Sequence, residues 1–135
     1  MLETTLPKAP LISIVDDDQF VRDSIGMLMK SLGHAVAVFP SAIEFLQSPR
    51  LGETACLIAD VQMPAMTGVE LYRRLTEEGR AIPTILITAY PDDVVRARVL
   101  SEGAISYVQK PFRSDELVRG VHTALERGNR PEDNS

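Results

Sequence analysis

A single cysteine, Cys56, stands inside an apolar run of this 135-residue chain. One thiol excludes a disulfide framework and a cysteine-based zinc site within the chain, and its apolar neighbours point to a buried structural thiol. No apolar stretch approaches the roughly 20 residues that a membrane helix needs, so no membrane association is expected. The first ten residues hold two prolines and no apolar core, unlike a secretory signal. A reducing, cytoplasmic setting is the expectation. A basic excess is also missing: 14 Lys and Arg stand against 19 Asp and Glu, a net charge of −5. That balance argues against direct nucleic-acid contact by this domain. Repeats and low-complexity tracts are absent too. What remains, 44% hydrophobic and 24% charged, suits one domain with one core.

Five short apolar runs, at 11–15, 35–39, 55–59, 83–87 and 105–108, alternate with segments of helical period. Between residues 18 and 32, Phe20, Val21, Ile25, Leu28, Met29 and Leu32 recur at three- and four-residue steps, and Gly33 supplies a stop. Ser41 with Glu44 reads as a capping box opening a second helix, which Pro49 closes. A third helix contains Val69, Leu71, Tyr72 and Leu75 and stops near Gly79. A fourth runs from about Asp92 to Glu102, ahead of Gly103. The fifth opens near Ser114 and ends near Arg127-Gly128. Alternation of this kind predicts a (βα)5 α/β fold, with a parallel five-stranded sheet covered by helices on both faces. The flavodoxin-like strand order 2-1-3-4-5 is the expected topology, and its ligand crevice lies outside the carboxyl ends of strands 1 and 3. The folded domain is placed at 10–128, after a flexible segment (1–9) and before a polar tail or linker start (129–135).

Those two strand ends carry the acids of the chain that matter most. Asp16-Asp17-Asp18 follows the first run and Asp60 follows the third. Carboxylates brought that close repel one another, which a divalent cation would relieve. Magnesium favours oxygen ligands and keeps several waters, so Asp16, Asp17 and Asp60 suffice for a pocket. Such a pocket could hold an incoming phosphoryl group in line with an Asp60 oxygen. Thr88 ends the fourth run and offers a hydroxyl donor. Lys110 ends the fifth and offers a point charge for carboxylate or phosphate. The Lys110-Pro111 bond could adopt the cis form open to X-Pro bonds. Asp18 is expected to cap the first helix rather than bind a metal.

Taken together, Ile14-Val15-Asp16-Asp17-Asp18, Asp60-Val61-Gln62-Met63-Pro64 with Gly68, Ile87-Thr88-Ala89 and Lys110-Pro111-Phe112 resemble the receiver domain of bacterial two-component response regulators. The wording near Asp60 and Lys110 is most similar to the nitrogen-fixation-type receivers. The resemblance covers about residues 10 to 128. It implies that Asp60 is the phosphoacceptor, phosphorylated in a magnesium-dependent step by a partner histidine kinase or phosphotransfer protein. It further implies that Asp17 binds Mg2+ directly, Asp16 mainly through water, and Gln62 through its backbone carbonyl. Thr88 and Lys110 would contact the phosphoryl group. Tyr107 falls at the aromatic switch position, whose ring moves inward as the threonine closes on the phosphoryl group. The signal would then show on the helix 4–strand 5–helix 5 surface, which is also a plausible homodimer face. Gln62 and Tyr90 occupy positions that tune phosphoryl lifetime in the family, and a Tyr90 ring could shield the acyl phosphate from water.

Other functions fit less well. An aspartate-nucleophile phosphatase usually has a second aspartate two residues after the nucleophile, where this chain has Gln62. An interaction module without phosphorylation typically loses the acidic pair, the acceptor or the lysine. An FMN-binding protein would need a Gly/Ser/Thr-rich loop where this chain has three acids. His34 and His122 have no matched partners and are expected to take no catalytic or metal role. The domain is therefore expected to be a switch rather than an enzyme turning over a metabolite. A stand-alone receiver is the favoured form, with the N-terminal part of a transcriptional regulator as the alternative.

Overall fold

The computed structural model describes residues 9–128. The tail expected at 129–135 and all but the last residue of the segment expected at 1–9 lie outside the described residues. In chain order the elements are β1 (Leu11–Val15), α1 (Gln19–Ser31), β2 (Ala35–Phe39), α2 (Ala42–Gln47), a 3-10 turn (Leu51–Glu53), β3 (Thr54–Asp60), α3 (Gly68–Glu77), β4 (Thr84–Thr88), α4 (Asp93–Ser101), β5 (Ser106–Gln109) and α5 (Ser114–Gly128). All strand pairs are parallel, and the sheet order is β2-β1-β3-β4-β5. The expected (βα)5 architecture and order are those observed. Differences lie at the edges: β3 extends by one residue at each end and so includes Asp60, β4 and β5 each lie one residue later, and the 3-10 turn was not foreseen.

Strand residues alternate between two cores, because successive side chains of a strand point to opposite faces. Ile12, Ile14, Cys56, Ile58, Ile85, Ile87 and Val108 face α1 and α5, which contribute Ile25, Met29, Leu117, Val121 and Ala124. Val15, Leu57, Ala59, Leu86 and Tyr107 face α2, α3 and α4, which contribute Phe45, Leu71, Leu75 and Val99. Cys56 is fully buried and its thiol is pushed up to about 12 by burial, as an inert structural thiol should be. Among the described residues no helix is long and apolar enough to cross a membrane.

The helices start and stop for local reasons. Asp18 caps α1, its carboxylate accepting from the Phe20 and Val21 amides, as expected. Ser41 accepts from the Glu44 amide at 3.1 Å, which is half of the expected capping box. The complete box is at α3, where Thr67 and Glu70 bond each other's backbone amides. Gly33, Gly79 and Gly103 hold φ of 90°, 77° and 112° beyond the ends of α1, α3 and α4, a region open to glycine at little cost. Two expectations fail at the ends of α1: Phe20 and Leu32 are not part of its buried face but 87% and 41% exposed. The buried stripe follows Val21, Ile25 and Met29, and a residue one step off that line lies about 100° around the helix.

α3 begins hard against the end of β3. The Gly68 amide bonds the Val61 carbonyl at 3.2 Å. A Cβ on Gly68 would press into the Asp60 carbonyl, only 2.9 Å from its carbon. Replacing Gly68 by alanine is therefore expected to lower stability by about 1–3 kcal/mol through overpacking against backbone. Urea unfolding checks this, with Gly52→Ala, where an added Cβ meets open space, as the near-neutral control. Equal unfolding midpoints for the two variants would refute the close approach.

Candidate functional site

Ladder hydrogen bonds continue past the strand ends and fix the backbone that bears the site. The Asp16 amide bonds Phe39 O at 3.1 Å, Val61 bonds Ile87 O at 2.8 Å, and Lys110 bonds Thr88 O at 2.7 Å. Side chains leaving these points therefore converge at the carboxyl edge. Asp16, Asp17 and Asp60 each bring a carboxylate oxygen within 4.8 Å of the others. Asp16 and Asp60 are buried while Asp17 is exposed, so the cluster opens to solvent on one side.

Lys110 holds the acids together. Its Nζ lies 3.2 Å from Asp16 Oδ2 and 3.3 Å from Asp60 Oδ1. The other Asp16 oxygen accepts the Asp18 amide at 2.8 Å, and the Gln62 amide approaches Asp60 Oδ1 at 3.4 Å. Burial dominates the titration of both acids. It pushes Asp60 up to about 6, with the Asp16 charge adding and Lys110 opposing. It also raises Asp16, against the Asp18 amide and Lys110. Burial alone would lower Lys110, but the combined pull of Asp16 and Asp60 outweighs it and its pKa is raised. The site thus sets a lysine cation against two buried carboxyls whose charged forms burial disfavours.

This donor set fits a hard divalent cation. All three ligand groups are carboxylates within 4.8 Å, the oxygen chemistry that magnesium selects. The fixed cations nearby are Lys110 and Arg22, whose Nη1 bonds the Asp16 carbonyl at 2.8 Å. Two cations against three carboxylates leave negative charge over, and the Asp16 charge adds to the burial that raises Asp60.

The other residues expected at the site lie in or just beyond β3, β4 and β5. Thr88 is buried at the end of β4, one strand over from Asp60. Its Oγ1 bonds the Gln62 side-chain oxygen at 2.9 Å and accepts the Tyr90 amide at 3.0 Å. Lys110-Pro111 is cis, as the sequence allows. The Tyr107 ring is already inside, 5% exposed, with its hydroxyl accepting the Asp92 amide at 3.2 Å. Tyr90 is 74% exposed, and it is its amide rather than its ring that touches Thr88. His34 stays away from the acids, at the turn between α1 and β2, its Nε2 buried without a hydrogen-bond partner. Sequence reasoning missed the Arg22 guanidinium, and it singled out the Gln62 position without foreseeing that its side chain bonds Thr88 and the Ala89 amide. The only signal for Arg22 was its place one turn into α1, on the side of the helix that starts beside the acids.

Comparisons with known proteins agree with this geometry. The family model described as "Response regulator receiver domain" matches residues 12–122. The response regulator protein TodT of Pseudomonas putida is 37% identical over 118 residues, covering 87% of this chain and 52% of TodT. The transcriptional regulatory protein FixJ of Bradyrhizobium diazoefficiens is 31% identical over 114 residues, covering 84% and 56%. This chain thus spans about half the length of the curated relatives it matches. Among solved structures, FixJ-N superposes with a TM-score of 0.78 at 32% identity, covering 89% of this chain and 96% of that one. The response regulator StyR superposes with a TM-score of 0.82 at 35% identity, covering 89% and 61%.

The raised Asp60 has a measurable sign. A carboxyl that titrates near 6 when folded and near 3.8 when unfolded binds its proton more tightly in the native state. Stability of the metal-free protein should therefore rise as pH falls from 7 towards 4 and fall again as pH climbs through 6. Asp60→Asn should be more stable than wild type at pH 7, by on the order of 1–2 kcal/mol, with a flatter profile between pH 4 and 7. Asp16 leaves a residual slope. Urea midpoints in chelator-treated buffer decide the matter, and a wild type that gains stability from pH 5 to 7 would contradict it.

Proposed function

The chain belongs to the response regulator receiver domain family, and on that premise we propose that it is a phosphoryl-accepting switch with Asp60 as the phosphoacceptor. The single observation that carries this reading is the Lys110 ammonium set between Asp16 and Asp60 at 3.2 and 3.3 Å, at the mouth of a three-carboxylate cluster. Receiver domains of two-component systems work with histidine kinases. The proposed donor is accordingly a phosphohistidine of a sensor kinase or phosphotransfer protein. An Asp60 oxygen attacks phosphorus, the P–N bond to the donor imidazole breaks, the imidazole takes up a proton, and an acyl phosphate forms on Asp60.

Asp16, Asp17, Asp60 and the Gln62 backbone carbonyl are the proposed ligands of Mg2+, which would neutralise the acids and hold the phosphoryl oxygens in line. Lys110 supplies positive charge for the charge developing on those oxygens, and Thr88 donates its hydroxyl. The site's groups act on the protein's own side chain, so the domain assists its modification without turning over a metabolite. A route from the site to the surface runs through Thr88, the Tyr90 amide, Asp92 and Tyr107. Tyr107 is the proposed switch ring, and Arg96 of α4 bonds its carbonyl at 3.1 Å. The proposed output and homodimer surface is therefore α4–β5–α5. The regulatory names of TodT and FixJ support an output in control of transcription. The proposed receiver spans 10–128.

Incubation with Mg2+ and acetyl phosphate should add one phosphoryl mass to the intact protein. Asp60→Asn should abolish the gain, and Lys110→Ala should slow it by about tenfold or more. A wild-type protein that neither gains mass nor binds beryllofluoride would end the proposal.

A further inference from the structure

The Gln62 side chain occupies the donors that the phosphoryl group needs. Gln62 Oε1 accepts from Thr88 Oγ1 at 2.9 Å and from the Ala89 amide at 3.3 Å. An amide N–H can only donate, so the Ala89 contact fixes which end of the Gln62 carboxamide faces β4. The Thr88 hydroxyl has one proton, and its oxygen already accepts the Tyr90 amide at 3.0 Å. That proton is therefore committed to Gln62. Two donors at the end of β4, next to the acceptor strand, converge on one neutral oxygen carried by the residue two after Asp60.

We propose that the Gln62 amide oxygen is a built-in placeholder for a phosphoryl oxygen, holding Thr88 and the Ala89 amide in their engaged positions until phosphorylation displaces it. The proposal rests on Asp60 being the phosphoacceptor. Displacement is feasible because Gln62 is exposed and its unbranched side chain can swing into solvent, where water satisfies the amide. The incoming oxygen is anionic and makes a stronger bond to the same donors than a neutral amide does. Thr88 thus exchanges a neutral acceptor for an anionic one. Gln62 then sets both the threshold for phosphorylation and the resting level of the switch.

Two measurements on the whole chain test this. Gln62→Met keeps the length of the side chain and removes the oxygen, while Gln62→Ala removes both. Without any ligand, amide exchange at Ala89 followed by NMR should be several-fold faster in both variants than in wild type. In the presence of Mg2+, the beryllofluoride midpoint should fall by about fivefold in both, the worth of one net hydrogen bond no longer displaced. Unchanged Ala89 exchange together with unchanged midpoints overturns the placeholder while leaving Asp60 as acceptor. Weaker beryllofluoride binding in both variants also overturns it, since Gln62 would then be a ligand of the phosphoryl group. Absence of binding by wild type overturns both readings together.

Discussion

Crowded negative charge at one edge of the sheet is the constraint on which the rest of the structure depends. Asp16 and Asp60 are both buried, and an unpaired buried carboxylate is costly. Lys110 offsets that cost only when the sheet is complete, because it reaches Asp16 across 94 residues of sequence from the far side of β3 and β4. The order β2-β1-β3-β4-β5 is thus what brings the cation to the acids, and the ladder bonds from Asp16, Val61 and Lys110 are what keep it there. The compensation is partial, since Asp60 remains raised to about 6. An edge left short of positive charge is poised to take up more of it.

Much of this was legible in the chain because buried parallel strands have no polar face to interrupt them. Five apolar runs mark five strands, and the polar residues that end them mark the carboxyl edge. Asp16, Asp60, Thr88 and Lys110 could be placed together from strand ends and topology alone. Phase was harder to read than period. Phe20 matched the spacing of α1 but lies about 100° around the helix from its buried stripe, which begins at Val21. The Thr67–Glu70 box was present in the sequence but hidden in a loop whose chemistry is dominated by the residues after Asp60. Gln62 was singled out by its position, but the bonds that it and Arg22 make could not be foreseen. Their partners are a carbonyl, an amide and a hydroxyl, and long flexible side chains leave no spacing rule behind when they bond such groups.

Neutral hydrogen bonds are individually worth little, about 1 kcal/mol, and the line from Gln62 through Thr88 to Tyr90, with Tyr107 bonded at Asp92, is made of them. That modesty suits a switch. A line built from strong ion pairs would lock one state, whereas weak neutral bonds would let the proposed added charge at Asp60 redistribute the population. The strong interactions lie one layer deeper, in the Lys110 bridge, where rigidity is required.

The close seat of Gly68 on the Asp60 carbonyl bears on direction. On that side the acceptor's backbone rests on the first turn of α3 with no room for even a methyl group. A helix seated this tightly leaves the Asp60 backbone little room to move towards α3. The yielding side is the other one, where Gln62 is exposed and Thr88 meets neutral, exchangeable partners. A single missing side chain thereby makes the surroundings of Asp60 uneven: close-packed towards α3 and exchangeable towards β4.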